Sequence, residues 1–175
     1  GTTLDDAAGE GFDKVGRVLG MPYPGGAALD KAAQAGDNTR YPMPRSKPGE
    51  NPYNMSFSGL KTAALNTIHH AEQVGEEIDI PGLCASFCAA VSDTLVPRVV
   101  MALKETGHHQ LAVAGGVAAN SVIRRDILAA AEKLGVKLNK VKFKAAYNIV
   151  NFAGCKCLVM KPQTYMNLSG EAVRE

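Results

Sequence analysis

At 175 residues, with 46% hydrophobic and 21% charged positions, the sequence has the balance of a globular protein long enough to bury a core, as one domain or one domain with an appendage. No apolar run approaches the roughly 20 residues that cross a bilayer, and no signal-peptide pattern opens the chain, so no membrane partner is expected. Residues 1–139 carry 13 Lys/Arg against 15 Asp/Glu, whereas 140–175 carry 6 against 2. That asymmetry suggests an anionic partner such as nucleic acid, a solvated basic strand being the plainer alternative.

The opening stretch reads as a helix through Leu19, capped by Thr2 or Thr3, with Asp5 and Asp6 in the first turn where the dipole favours carboxylates. Leu4, Ala8, Phe12, Val15 and Leu19 form its apolar stripe, and Gly20 ends it. Asp13 lies close to that stripe. From spacing alone it is a surface charge paired with Lys14 or Arg17, with a ligand contact as the alternative. Tyr23-Pro24-Gly25-Gly26 is a turn, and a short helix follows over 28–33. Residues 36–54, with Pro42, Pro44, Pro48 and Pro52, read as a long irregular loop.

Ser56 to Thr62 restores order and leads into a helix through about His70. Pro81 opens the longest helix, to about Glu105, with Leu83, Phe87, Val91 and Leu95 facing the core. Pro97 inside it predicts a kink. Cys84 and Cys88 have metal-ligand spacing but no partner pair at a convincing distance, so small buried residues are the preferred reading. Four cysteines in two local pairs, Cys84/Cys88 and Cys155/Cys157, do not make a disulfide framework; a reducing cytoplasm is the expected setting. The pairs His69-His70 and His108-His109 read as exposed residues at helix ends.

Leu111 to Ala114 has the length and apolarity of a short buried strand, expected to be the centre of the fold. Gly115 and Gly116 let the backbone turn tightly or approach a ligand. Asn120 or Ser121 then caps a helix beginning at Val122. Strand, glycine turn and helix start together make a ready anion or nucleotide site. Further on, 142–150 and 155–160 read as two strands of a hairpin around a turn at 151–154, and Asn167 or Ser169 can cap a final short helix. The hairpin is a candidate to extend the sheet begun at 111–114.

Four motifs in this order, DDAAGEGFDKV, YPGG, SFSGLKT and AGGVAAN, resemble the tRNA N6-adenosine threonylcarbamoyltransferase family, also called the glycoprotease or sialoglycoprotein endopeptidase family, over about residues 1–138. The resemblance implies an α/β, helix-rich partial second lobe of the actin-like ATPase fold of the sugar kinase superfamily. It implies transfer of a threonylcarbamoyl group from an adenylate to N6 of the adenosine beside the tRNA anticodon. By motif, Asp13 resembles a ligand-contacting aspartate, Gly26 and Asp30 the contacts to ribose hydroxyls, and Asn120 the contact beside the nucleotide, next to the Gly115-Gly116 turn. An adenine nucleotide or threonylcarbamoyl-adenylate is the implied ligand; tRNA and the proteins of a tRNA-modification complex are the implied partners.

The family's HxxxH metal pair, its SGGHT segment and its late Thr-Asp-Asn-Gly aspartate have no counterpart here, so the family's iron or zinc is not expected. Residues 142–175, ending in KPQTYMNLSGEAVRE, instead resemble an internal piece of bacterial peptidyl-tRNA hydrolase. That resemblance makes Tyr165 and Asn167 the contacts to the peptidyl-tRNA 3′ end, without the hydrolase's catalytic histidine. The chain therefore reads as two fused fragments of tRNA-acting enzymes, 1–138 and 139–175, with an added C-terminal β-hairpin and short helix. It is expected to catalyse neither parent reaction alone; a non-catalytic binding or assembly module and a peptidyl-tRNA hydrolase-like fragment are the alternative readings.

Overall fold

The computed structural model describes residues 1–47, 49–138, 145–152 and 155–162. Five helices make up most of it: α1 Ala8–Val18, α2 Gly25–Ala33, α3 Ser58–Val74, α4 Ile80–Thr106 and α5 Ser121–Lys133. The strands are short or late: β1 Gln110–Leu111, β2 Lys137–Leu138, β3 Ala145–Phe152 and β4 Cys155–Pro162. The expected final helix, with Tyr165 and Asn167, lies outside the described residues, as do residues 139–141 just past the expected boundary after Leu138.

Helix α4 is the centre. Asp79 caps it by accepting from the Gly82 N–H at 3.0 Å, Pro81 sits in the first turn, and Gly107 closes the other end in the left-handed conformation. At 27 residues it is about 40 Å long. Leu83, Cys84, Phe87, Cys88 and Val91 are fully buried, while Leu95 is only half-buried. Phe87 meets Phe12 of α1 edge-to-face, with ring centroids 5.2 Å apart. Leu29 of α2, Leu60, Ala64 and Ile68 of α3, and Ile123 and Ile127 of α5 complete the core around it. By length and composition α4 would span a membrane, contrary to the expectation that no segment comes near; Ser86, Ser92 and Thr94 interrupt its apolar run, and most of it is buried against the other helices. The helix continues through Pro97. The next residue, Arg98, is buried and donates to the carbonyls of Asn54 (2.8 Å), Thr94 (2.6 Å) and Ser46 (3.2 Å), tying down the proline-rich loop.

The start of α1 differs from expectation. Residues 2–4 run extended beside Met55: the Met55 N–H donates to the Thr2 carbonyl at 2.9 Å, and the Leu4 N–H to the Met55 carbonyl at 2.8 Å. The helix begins at Ala8 with no side-chain cap, and Leu4 is 66% exposed, outside the stripe. Asp5 serves another helix. Its carboxylate accepts from the Ser56 hydroxyl (2.5 Å) and from the N–H groups of Phe57 (2.8 Å) and Ser58 (3.3 Å), at the N-terminus of α3, where Phe57 offers no cap. Burial alone would raise the Asp5 carboxyl; the Ser56, Phe57 and Ser58 donors outweigh it and hold it below the usual range. Asp6 pairs with Lys61 of α3.

Where α1 meets α2 the backbones nearly touch. A Cβ on Gly16 would lie 3.0 Å from the Gly25 Cα, and one on Gly25 would lie 3.1 Å from the Phe12 carbonyl oxygen. Only paired glycines permit that crossing.

The segment 111–114 is not the centre of a sheet. Only Gln110–Leu111 pairs, in parallel, with Lys137–Leu138, and α5 forms the crossover. Among the described residues β2 supplies two residues to this pairing. Hairpin β3–β4 is antiparallel, from Ala145 opposite Pro162 to Phe152 opposite Cys155, and among the described residues it forms a sheet of its own rather than extending β1–β2. His69 and His70 are exposed but lie a turn inside α3, which runs on to Val74; His108 and His109 are exposed just after α4.

Candidate functional site

The glycine contact between α1 and α2 opens on one side into a cavity of about 890 Å³. One wall is α1, with Ala8, Phe12 and Asp13; the floor is the start of α2, with Pro24, Gly25 and Gly26; the far wall is Ala114, Gly115, Gly116, Val117 and Asn120. Segments about a hundred residues apart in sequence thus share one hollow. Of the site residues expected from the sequence, Asp13, Gly26, Gly115, Gly116 and Asn120 line it; Asp30 does not.

Asp13 is no surface partner of Lys14 or Arg17. Its Oδ1 accepts from the Gly25 N–H at 2.9 Å and supplies the cap that Pro24 cannot give α2. Lys14 pairs instead with Glu10 at 2.5 Å, and that carboxylate raises the Lys14 ammonium above its ordinary value. The Tyr23–Pro24 bond is cis, and α2 starts straight after it, so the expected turn and the helix at 28–33 merge.

On the far wall Gly115 has φ of 100°, in the left-handed region that favours glycine, and a short 3₁₀ turn over Gly116–Ala119 delivers the chain to α5. Asn120 caps α5 as the sequence predicts, its Oδ1 accepting from the Ile123 N–H at 3.1 Å. It is only 4% exposed, and its Nδ2 donates to the Cys88 Sγ at 3.4 Å. Asp30 sits behind this wall. Both its oxygens accept from the Ser121 N–H, at 3.0 and 3.1 Å, and Oδ1 also from the Ser121 hydroxyl at 2.8 Å. Its charge therefore complements the positive end of α5 and ties α2 to α5.

Sequence reasoning missed Glu10, Lys14 and Arg17, which also line the cavity. The signal was present: with Asp13 they follow at spacings of three and four, one face of α1. Ala7, Ala8, Phe12, Met21, Pro22, Pro24 and Val117 make the remaining surface largely apolar. The hollow therefore offers apolar side chains for a ring, the carboxylates of Asp13 and Glu10, the cations of Lys14 and Arg17, and a glycine turn leading to a helix N-terminus.

Cys84 and Cys88 are packed in the core, their thiols pushed up to about 12, by burial first of all. Among the described residues no three His, Cys, Asp or Glu side chains come together as a metal-holding group.

The pattern of the tRNA N6-adenosine threonylcarbamoyltransferase family matches residues 1–146, and that of peptidyl-tRNA hydrolase matches 122–175. The chain is 50% identical over 136 residues to the tRNA N6-adenosine threonylcarbamoyltransferase of Moorella thermoacetica, covering 78% of this chain and 40% of that protein. It is 52% identical over 124 residues to that of Bacillus subtilis, covering 71% and 36%. With that of Latilactobacillus sakei it shares 47% over 141 residues, covering 81% and 41%. The chain thus spans about two fifths of the length of the curated relatives it matches. It belongs to the tRNA N6-adenosine threonylcarbamoyltransferase family, with a peptidyl-tRNA hydrolase-like segment fused at its end.

Proposed function

We propose that the cavity between α1, α2 and the 114–120 turn is a half-site for an adenine nucleotide or threonylcarbamoyl-adenylate, within a partial lobe of the actin-like ATPase fold. The observation that carries this is the convergence of Asp13 and Gly26 with Gly115, Gly116 and Asn120 on one hollow. The apolar wall suits a base, the Asp13 carboxylate suits ribose hydroxyls, and the glycine turn ahead of α5 suits an anionic group. Asp30, whose oxygens accept from the Ser121 N–H and hydroxyl, is read as acting through α5 rather than on the ribose. The ultimate substrate in this reading is tRNA, toward which the hydrolase-like tail with Tyr165 and Asn167 would also be directed.

Binding without turnover is the behaviour proposed for this chain alone. Transfer needs both reactants held in register, and the described residues bring together the contacts of a partial lobe only. Equilibrium titration with ATP and with threonylcarbamoyl-adenylate tests the reading. Saturable binding lost in Ala8→Trp, which fills the hollow, and weakened in Asn120→Ala supports it; no binding at millimolar ligand overturns it. Turnover of threonylcarbamoyl-adenylate with unmodified tRNA by the purified chain, abolished by Asn120→Ala, would refute the inactivity.

A further inference from the structure

The carboxamide of Asn120 is buried at the edge of the cavity, where it must satisfy one acceptor oxygen and two N–H groups. The oxygen is committed to the Ile123 N–H at the head of α5. One N–H is committed to Cys88 Sγ at 3.4 Å, a normal distance for a sulfur acceptor. The second Nδ2 hydrogen has no partner among the described residues, and Asn120 faces the hollow. Cys88 itself is fully buried on α4, and burial keeps it a neutral thiol.

We propose that Cys88 is a positioning residue: its sulfur holds one amide hydrogen of Asn120, so that the carboxamide is locked between α4 and α5 and presents its other N–H to the cavity as a hydrogen-bond donor. The ligand atom facing Asn120 is then an acceptor, such as a ring nitrogen, a hydroxyl oxygen or a phosphoryl oxygen. An amide turned the other way would set its NH2 against the Ile123 N–H, donor against donor, and lose the cap. Cys88 thus completes an orientation that the helix N-terminus begins. The binding part of this inference rests on the nucleotide reading above; the contact itself does not.

Cys84 provides the control. It is equally buried, one turn earlier on the same helix, and makes no hydrogen bond to Asn120 among the described residues. Cys84→Ala therefore removes a sulfur from the core without touching the carboxamide. The side-chain amide resonances of Asn120 are recorded in ¹⁵N correlation spectra of the unmodified chain, Cys88→Ala, Cys88→Ser and Cys84→Ala, and each chain is titrated with ATP. Cys88→Ala is expected to move the Asn120 amide pair and weaken ATP binding roughly fivefold, the worth of one neutral hydrogen bond. Cys88→Ser, which keeps an acceptor, restores most of that affinity. Cys84→Ala lowers the melting temperature comparably and changes neither readout. An unmoved Asn120 pair in Cys88→Ala, or equal loss of affinity in Cys84→Ala, overturns the proposal. Should no chain bind ATP, the nucleotide reading fails, and the resonances alone still uphold or overturn the Cys88 contact.

Discussion

Replacing Asp5 by alanine isolates the long-range cap on α3. The carboxylate takes the Ser56 hydroxyl and the Phe57 and Ser58 N–H groups across 51 to 53 residues of sequence. Without it, two orphan backbone donors at the head of a 17-residue helix turn to water. Cap removals cost about 0.5–2 kcal/mol, and because Asp5 is exposed the loss should be about 1–2 rather than the sum of three charged hydrogen bonds. For a chain of this size that is a fall in Tm of roughly 3–7 °C at neutral pH. The dependence on pH is the sharper test. The folded carboxyl titrates below its unfolded value of 3.8, so its contribution is complete above that value and disappears as the pH falls through the lower folded one. Thermal unfolding followed by circular dichroism should show the deficit of Asp5→Ala at pH 7 shrinking progressively as the pH falls below 3.8. Asp5→Asn, with one acceptor but no charge, should fall between. Equal melting of Asp5→Ala and the unmodified chain at pH 7, or a deficit that persists unchanged in acid, would refute the reasoning.

Phe87→Ala removes the ring that meets Phe12 at the centre of the core, and should lower unfolding stability by about 3–5 kcal/mol in a urea titration; a loss below 1 would place the core elsewhere. Asp30→Ala frees the Ser121 N–H and hydroxyl and should lower Tm by several degrees, roughly 1–2 kcal/mol; unchanged melting would show that α2 and α5 are not tied there. The Cys84 and Cys88 thiols, raised in the fold, add stability below the unfolded thiol value of 9.0, and that stability is lost as the pH rises from there towards 12. Peptide mapping after native alkylation near pH 8 should find both unmodified, with full labelling only in denaturant; native labelling would contradict their burial.

Elements with strong local signals were legible in the chain itself. The apolar spacing of Leu83, Phe87 and Val91, with Pro81 and Gly107 at the ends, specifies α4, and Asn120 specifies the start of α5. The hairpin appears within three residues of its expected strands among the described residues. What failed was whatever depends on a distant partner. Thr2 and Thr3 are good caps by type, but Met55 draws their backbone into extended pairing and α3 takes Asp5. Asp13 reads as a neighbour of Lys14 because spacing sees only its own helix, whereas its partner is the Gly25 N–H twelve residues on. Asp30, singled out by motif alone, accepts from Ser121, ninety-one residues away, a partner that no local spacing reveals. The strand expected at 111–114 is Gln110–Leu111 among the described residues, paired with Lys137–Leu138 from beyond α5, a partner that local apolarity does not reveal. The cavity was half legible: glycines and Asn120 were singled out as a turn, but that it closes on α1 is a fact of packing alone.

The central claim is that Asp13, the α2 start and the 114–120 turn bind one ligand together, and the most direct test is amide chemical-shift mapping of the chain during addition of threonylcarbamoyl-adenylate. The account predicts saturable shifts, with one common affinity, at Gly25, Gly26, Gly115, Gly116 and Asn120, and none at the exposed His69 and His70 of α3. Shifts confined to other segments, different affinities at the two walls, or no shift at millimolar ligand would contradict it.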